Sequence, residues 1–168
     1  MSQKYRRYSL KSKNVKSILS EVSERLKVNV EALFGSKANV EVVEADFGQI
    51  YLVNGKPLFF NVGGKTLPTL LFQEFTGQAP KVVVDMGAVP YVCKGADVMA
   101  PGIVRVEGNF SKGDVVLVVD EKYGKTLAIG ESLYDAEAAR SAKQGAVVKN
   151  LHFVSDKIWN LTKTLAEH

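Results

Sequence analysis

The apolar positions of the first forty residues change period twice. Tyr5 to Leu10 reads as a short strand. Val15, Ile18, Leu19, Val22 and Leu26 then fall at i, i+3, i+4, i+7 and i+11, the spacing of a helix with one buried face. Lys13, Lys16, Ser17, Ser20 and Glu24 occupy its other side, and Ser12 or Asn14 is placed to cap its start. A second helical turn is expected over Glu31 to Phe34, ended by Gly35. From Val40 the pattern is β-rich. Ile50–Val53 and Pro57–Phe60 flank Asn54-Gly55, a pair that suits a hairpin because both central residues must reach positive φ. Asn61 to Lys65 reads as a loop, and Pro68 as the opening of a helix over Thr69 to Phe75. Thr76-Gly77-Gln78-Ala79-Pro80 separates two apolar blocks and is the expected domain boundary.

The second block starts with Val82-Val83-Val84, a buried strand. A tight turn, about two turns of helix, another tight turn and a strand at Ile103–Val106 should follow. Val115 to Val119 is too uniformly apolar for an exposed strand and should be central in its sheet. A turn around Tyr123-Gly124-Lys125 leads to a strand from Thr126, which Gly130 is expected to end. Asp135 to Ala142 reads as a partly exposed helix, Ala146 to Phe153 as a strand, and Asp156 to Leu161 as a short terminal helix. Many short strands at this spacing point to a small barrel rather than a βαβ sheet.

Composition limits the function classes. With 168 residues, 46% of them hydrophobic, the chain can bury a real core. No apolar run approaches the roughly 20 residues of a membrane span. The start is basic and lacks the apolar stretch of a secretory signal, and Cys93 is the single cysteine. A reducing, cytoplasmic setting is therefore expected. The net charge is +4, and its excess lies in the first half: residues 1–79 hold eleven Lys/Arg against seven Asp/Glu, whereas residues 80–168 hold eleven of each. Lys4, Arg6, Arg7, Lys11, Lys13 and Lys16 all precede the first acid, Glu21. A basic lead of this kind suits phosphate contact, or simply a solvated end.

The most constrained window runs from Asp85 to Ile103. Two Gly-Ala pairs, Gly87-Ala88 and Gly95-Ala96, flank a short apolar segment, and Pro101-Gly102 follows. This spacing resembles the signature of the PUA domain, a small RNA-binding β-barrel. Lys112-Gly113-Asp114-Val115 and Ala128-Ile129-Gly130 extend the likeness. The run Asn150-Leu151-His152-Phe153, followed by Trp159, is similar to the close of a narrower group. That group holds archaeal free-standing PUA proteins and the eukaryotic translation factor named for multiple copies in T-cell malignancies. In it a pre-PUA domain precedes the barrel, and Tyr51–Phe60 with Leu67-Pro68-Thr69-Leu70 resembles that domain's hairpin and the proline-started helix that follows it. The implied fold is an α+β pre-PUA domain at 1–78, followed by a mixed β-barrel with short helices, the PUA domain, at 79–168.

The resemblance implies non-catalytic binding of structured RNA, tRNA or the small ribosomal subunit, in translation initiation, reinitiation or ribosome recycling. It also implies an initiation-factor-like protein partner. The alternative is a protein-interaction adaptor that recruits a translation or RNA-modification factor. Candidate RNA contacts are Lys94, Gly95, Ala96, Gly102, Arg105, Lys149 and His152, joined by Arg6, Arg7 and Lys11 of the basic lead. In PUA proteins the turn carrying the second Gly-Ala pair lies near RNA, which brings Lys94, Gly95 and Ala96 forward. The bland reading is that the glycines only permit tight turns and that His152, between Leu151 and Phe153, is a packed structural residue. Tyr5 and Tyr8 are placed either to stack on bases or to pack a strand onto the first helix. No enzyme motif is present: Gly64-Lys65-Thr66 ends like a phosphate-binding loop, but Phe59 stands where its first glycine is required. No cofactor or metal is expected.

Overall fold

The computed structural model describes residues 5–35 and 37–167, so Lys4 lies outside the described residues. Two sheets carry the fold. The first is antiparallel, with strands β1 (Arg6–Ser9), β2 (Val40–Ala45), β3 (Gly48–Val53), β4 (Lys56–Val62) and β5 (Lys65–Pro68) in spatial order 1-2-3-4-5. Helices α1 (Ser12–Leu26) and α2 (Val30–Phe34) connect β1 to β2, and α3 (Gln73–Thr76) follows β5. Leu19, Val22 and Leu26 of α1 are buried, as the spacing predicts. Each such side chain is worth about 1.5–3 kcal/mol when fully buried.

Three local expectations are corrected. The N-cap of α1 is Lys11, with no side-chain bond, rather than Ser12 or Asn14. The loop at 61–65 is a second tight hairpin, with Gly63 at φ +66° and Gly64 at φ +84°. It joins two antiparallel strands, and Lys65 is paired with Glu131, so it bears no likeness to a strand–helix phosphate loop. Pro68 ends a strand instead of opening a helix. It pairs opposite Phe59 on the edge strand β5, where a missing N–H costs no ladder bond. Thr69 then turns the chain by donating its hydroxyl to Pro57 O and accepting from Leu71 N, so helix appears only from Gln73.

The second sheet is mixed and curls into a half-barrel. It comprises β6 (Lys81–Val84), β7 (Val98–Met99), β8 (Ile103–Glu107), β9 (Val115–Asp120), β10 (Thr126–Ser132) and β11 (Ala146–Phe153), in spatial order 7-11-10-9-6-8. Its helices are α4 (Val89–Val92), α5 (Ala136–Ser141) and α6 (Lys157–Ala166), with a 3-10 turn at Ala100–Gly102. Strand β9 is buried along its whole length, between β10 antiparallel and β6 parallel. Helix α4 is one turn, shorter than expected. Gly130 does not end β10. It sits inside the strand at a bulge, where an added Cβ would lie 2.3 Å from Val148 Cγ1 and 2.9 Å from Lys149 O.

The two sheets share one core. Phe59, Phe60 and Leu67 of the first sheet cluster with Leu117, Val119 and Ile129 of the second and with Ile158, Leu161 and Leu165 of α6. The half-barrel has its own interior around Val82, Val84, Val118 and Val148. Ion pairs Lys27–Asp114 (2.7 Å) and Lys65–Glu131 (2.9 Å) span the seam. Exposed pairs of this kind contribute about 0–1 kcal/mol each, so the shared apolar core dominates.

Candidate functional site

The Gly-Ala signature is built by backbone contacts at one end of the half-barrel. After β6, Asp85 N–H donates to Gly102 O at 2.9 Å, and Asp85 Oδ1 accepts Ala88 N–H at 2.9 Å. An added Cβ on Gly102 would lie 3.2 Å from Ala88 Cβ. The small residues of the first Gly-Ala pair and of Pro101-Gly102 thus pack on each other. Gly102 serves the fold through its carbonyl and its packing on Ala88, and it stays half-buried.

Helix α4 then runs into Lys94-Gly95-Ala96-Asp97. Gly95 has φ +96°, and an added Cβ would meet Phe153 Cε1 at 3.0 Å and Cζ at 3.3 Å. Its missing side chain therefore makes room for an aromatic ring of the same chain. Gly95 is thus a folding requirement first, whatever it contributes to RNA. Asn150 holds the outer edge of this turn. Its Nδ2 donates to Val92 O (3.1 Å) and Ala96 O (3.0 Å), and its backbone N–H donates to Asp97 Oδ1 (2.9 Å). Lys94 and Ala96 are exposed on the turn, and Lys149, next to Asn150 on β11, is exposed as well. Lys94 and Ala96 share the pinned turn, whereas Lys149 pairs opposite Glu131 and lies on the other face of β11 from Asn150. Asn150, Asp97 and Phe153 are not singled out as site residues in the sequence; the Asn-Leu-His-aromatic run was the signal for two of them.

Other expected contacts separate. Arg105 lies on the edge strand β8, with Nε 2.9 Å from Glu107 Oε1, and lines a cleft of about 300 Å³ with Arg140 of α5. His152 is corrected outright: it is fully buried. Leu70 N–H donates to His152 Nε2 at 3.2 Å, which leaves the ring proton on Nδ1, 2.8 Å from Asp156 Oδ2. Phe60 packs edge-on to the imidazole, with 5.2 Å between ring centroids. No ring nitrogen is free for RNA, and His152 joins the two sheets instead.

The basic lead is also divided. Arg7 donates to Glu41 through Nε (2.8 Å) and Nη2 (3.0 Å). This bond raises the Arg7 pKa and lowers that of Glu41. Arg7 is thus an ion-paired cation whose side chain still reaches solvent. Arg6 lies over the Tyr8 ring at 5.2 Å, Tyr8 donates its hydroxyl to Glu44, and Lys11 is exposed at the start of α1. All lie on or just after β1, the edge strand farthest from β5 in the first sheet. Cys93 is partly buried, and burial pushes its thiol pKa up, away from reactivity.

This architecture has close counterparts. The PUA domain matches residues 80–154, and a domain of unknown function, DUF1947, matches residues 6–73. An uncharacterised protein of Methanocaldococcus jannaschii is 42% identical over 156 residues, covering 92% of this chain and 96% of that one. Translation machinery-associated protein 20 of Saccharomyces cerevisiae is 30% identical over 141 residues, covering 79% and 78%. A crystal structure of a PUA domain from Aeropyrum pernix, a tartrate complex, superposes with a TM-score of 0.83 at 28% identity, covering 97% of this chain and 94% of that one. With a DUF1947 domain ahead of a PUA domain, the chain belongs to the PUA-protein family that includes translation machinery-associated protein 20 and the malignant T-cell-amplified sequences.

Proposed function

We propose that this protein binds structured RNA, tRNA or small-subunit ribosomal RNA, in the cytoplasm, and acts in translation initiation, reinitiation or recycling without chemistry of its own. One observation carries the reading. The Lys94–Asp97 turn is fixed from behind by Phe153 and from the side by Asn150, and it presents Lys94 and Ala96 to solvent. A turn that is already ordered loses little entropy on binding, and a small exposed residue close to a lysine lets a phosphate backbone approach. Arg6 and Lys11 add sequence-independent attraction from the first sheet. The division at 1–78 and 79–168 is proposed as two modules that work as one body, since their apolar residues share a core.

The adaptor reading retains one support. Met99 and Val104, 50% and 46% exposed, flank the 3-10 turn and offer apolar area to a protein partner such as an initiation-factor-like chain. The test is direct binding of the full chain to tRNA and to a small-subunit RNA fragment across a salt series. Salt-sensitive binding that weakens in Lys94→Gln/Lys149→Gln is expected. No affinity for either RNA at low salt would sink the RNA reading and favour the adaptor.

A further inference from the structure

A second feature stands at the same end of the half-barrel as the Lys94–Asp97 turn. Strand β9 ends at Asp120, which pairs with Val84, and Glu121 N–H donates to Val84 O at 3.0 Å. The tip Glu121-Lys122-Tyr123-Gly124-Lys125 therefore lies beside Asp85 and the approach to α4. On its other side, Ala128 of β10 pairs with Phe153, the residue whose ring fills the space at Gly95, and Val154 N–H donates to Leu127 O. The tip and the Lys94–Asp97 turn share one rim.

Tyr123 is 71% exposed, the largest exposure among the exposed large hydrophobic residues described. It is not loosely held. Asp120, itself 3% exposed, accepts Tyr123 N–H on Oδ1 at 2.5 Å and Lys125 N–H on Oδ2 at 3.0 Å. Asp120 N–H donates to Lys125 O at 3.1 Å and closes the hairpin. A buried carboxylate thus holds an exposed aromatic ring out into water. Packing offers no reason for that arrangement, since burying the ring would gain free energy. Lys122 Nζ sits over the ring, 5.2 Å from its centroid, and Lys122 and Lys125 are both exposed.

Exposed charge at the tip itself favours an anionic partner, with Lys122 and Lys125 against Glu121. Asp85, Asp97 and Asp120 each accept a backbone N–H: from Ala88, from Asn150, and from Tyr123 and Lys125. They remain carboxylates; Asp97 is exposed on the neighbouring turn, whereas Asp120 is buried beneath the tip. Glu121 is the exposed acid of the tip, against Lys122 and Lys125 there and Lys94 on the neighbouring turn. An aromatic face between two lysines fits a stacked base with its flanking phosphates.

We propose that the β9–β10 tip is a second RNA contact, in which Tyr123 stacks on an unpaired base and Lys122 and Lys125 engage the adjoining phosphates. This rests on the RNA-binding reading and extends its surface from the Lys94 turn across the rim. The test uses the full chain with two fluorescein-labelled probes, unfractionated tRNA and a single-stranded 12-nucleotide oligouridine. Tyr123→Ala should weaken binding of the oligouridine by about tenfold or more, and Tyr123→Phe should restore it. Lys122→Gln/Lys125→Gln should shallow the salt dependence by a slope of roughly 1.4, or 0.7 for each lost contact. A 4-thiouridine probe should crosslink to the peptide containing Tyr123. Melting temperatures should hold, because none of these side chains is buried. Wild-type affinity and slope in the tip variants, with loss in Lys94→Gln/Lys149→Gln, would overturn the tip contact alone and leave that surface to a protein partner. Absence of RNA binding by the unaltered chain would overturn both readings.

Discussion

Leu70 donates its backbone N–H to the buried imidazole of His152, 82 positions later in the chain. The bond crosses from the segment after β5 to β11, and Asp156 anchors the opposite ring nitrogen while capping α6 through Trp159 N–H at 2.7 Å. One side chain therefore links the first sheet, the half-barrel and the terminal helix.

His152→Ala should cost about 2–4 kcal/mol of stability, since it opens a cavity beside Phe60, strands Leu70 N–H and leaves Asp156 Oδ2 with Phe153 N–H alone. Urea unfolding measures the loss. RNA affinity of the fraction still folded should stay near the unaltered value; a large drop there would return His152 to the binding surface.

Gly95→Ala and Gly95→Val should both destabilise the protein, the first by about 1–2 kcal/mol. Two causes act together: φ of +96° and the Phe153 ring 3.0 Å from the new Cβ. Phe153→Leu should relieve only the second cause, so Gly95→Ala should cost less in that background than alone. Thermal melting of the four proteins tests this; equal costs would remove the ring contact as a constraint.

Arg6→Gln/Lys11→Gln should shallow the salt dependence of RNA binding more than Arg7→Gln does, because Arg7 is committed to Glu41. Arg7→Gln should lower stability by no more than about 1 kcal/mol, as the pair is exposed to solvent. An Arg7 effect on the slope equal to that of the pair would show that RNA competes Glu41 away.

The β9–β10 tip should loosen in acid. The Tyr123 N–H, with further backbone N–H groups behind it, holds the Asp120 carboxyl below the usual range. A folded-state pKa below the unfolded one stabilises above the unfolded value, about 3.9, and that contribution is lost as pH falls through the lower folded value. Amide resonances of Tyr123 and Lys125 should shift together in that low-pH window. Asp120→Asn should speed hydrogen exchange at both amides at neutral pH; unchanged exchange would show that the tip is held otherwise.

Limited proteolysis should not release two stable halves by an early cut at residues 76–80. Phe75 and Ala79 are buried in the shared core, and α6 packs its Leu161 and Leu165 into the same cluster. Leu161→Ala should cost about 2–5 kcal/mol and lower the melting of the whole chain in a single transition. Separate transitions for two fragments would contradict one cooperative body.

Elements with local causes were legible in the chain. The spacing of Val15, Ile18, Leu19, Val22 and Leu26 requires a one-faced helix. Asn54-Gly55 needs two positive φ values, found at +51° and +85°. The apolar run from Val115 to Val119 needs cover on both faces. The Gly-Ala spacing pointed to the correct family because small residues there answer contacts within one short window. Features set by long-range partners emerge only in the folded chain. Pro68 ends a strand because β5 is an edge, and Gly130 stays within β10 because Val148 crosses it. Gly95 is bound by a ring 58 residues away, and Arg7 is neutralised by an acid 34 residues later. His152 looked like a polar contact in its own segment, and it became a buried joint because Leu70 and Phe60 arrive from the other sheet. Free cations and exposed rings are defined by what fails to pack against them. A chain read in order shows the residue types but not those absences, so Tyr123 stood out only once Asp120 was seen to hold it open.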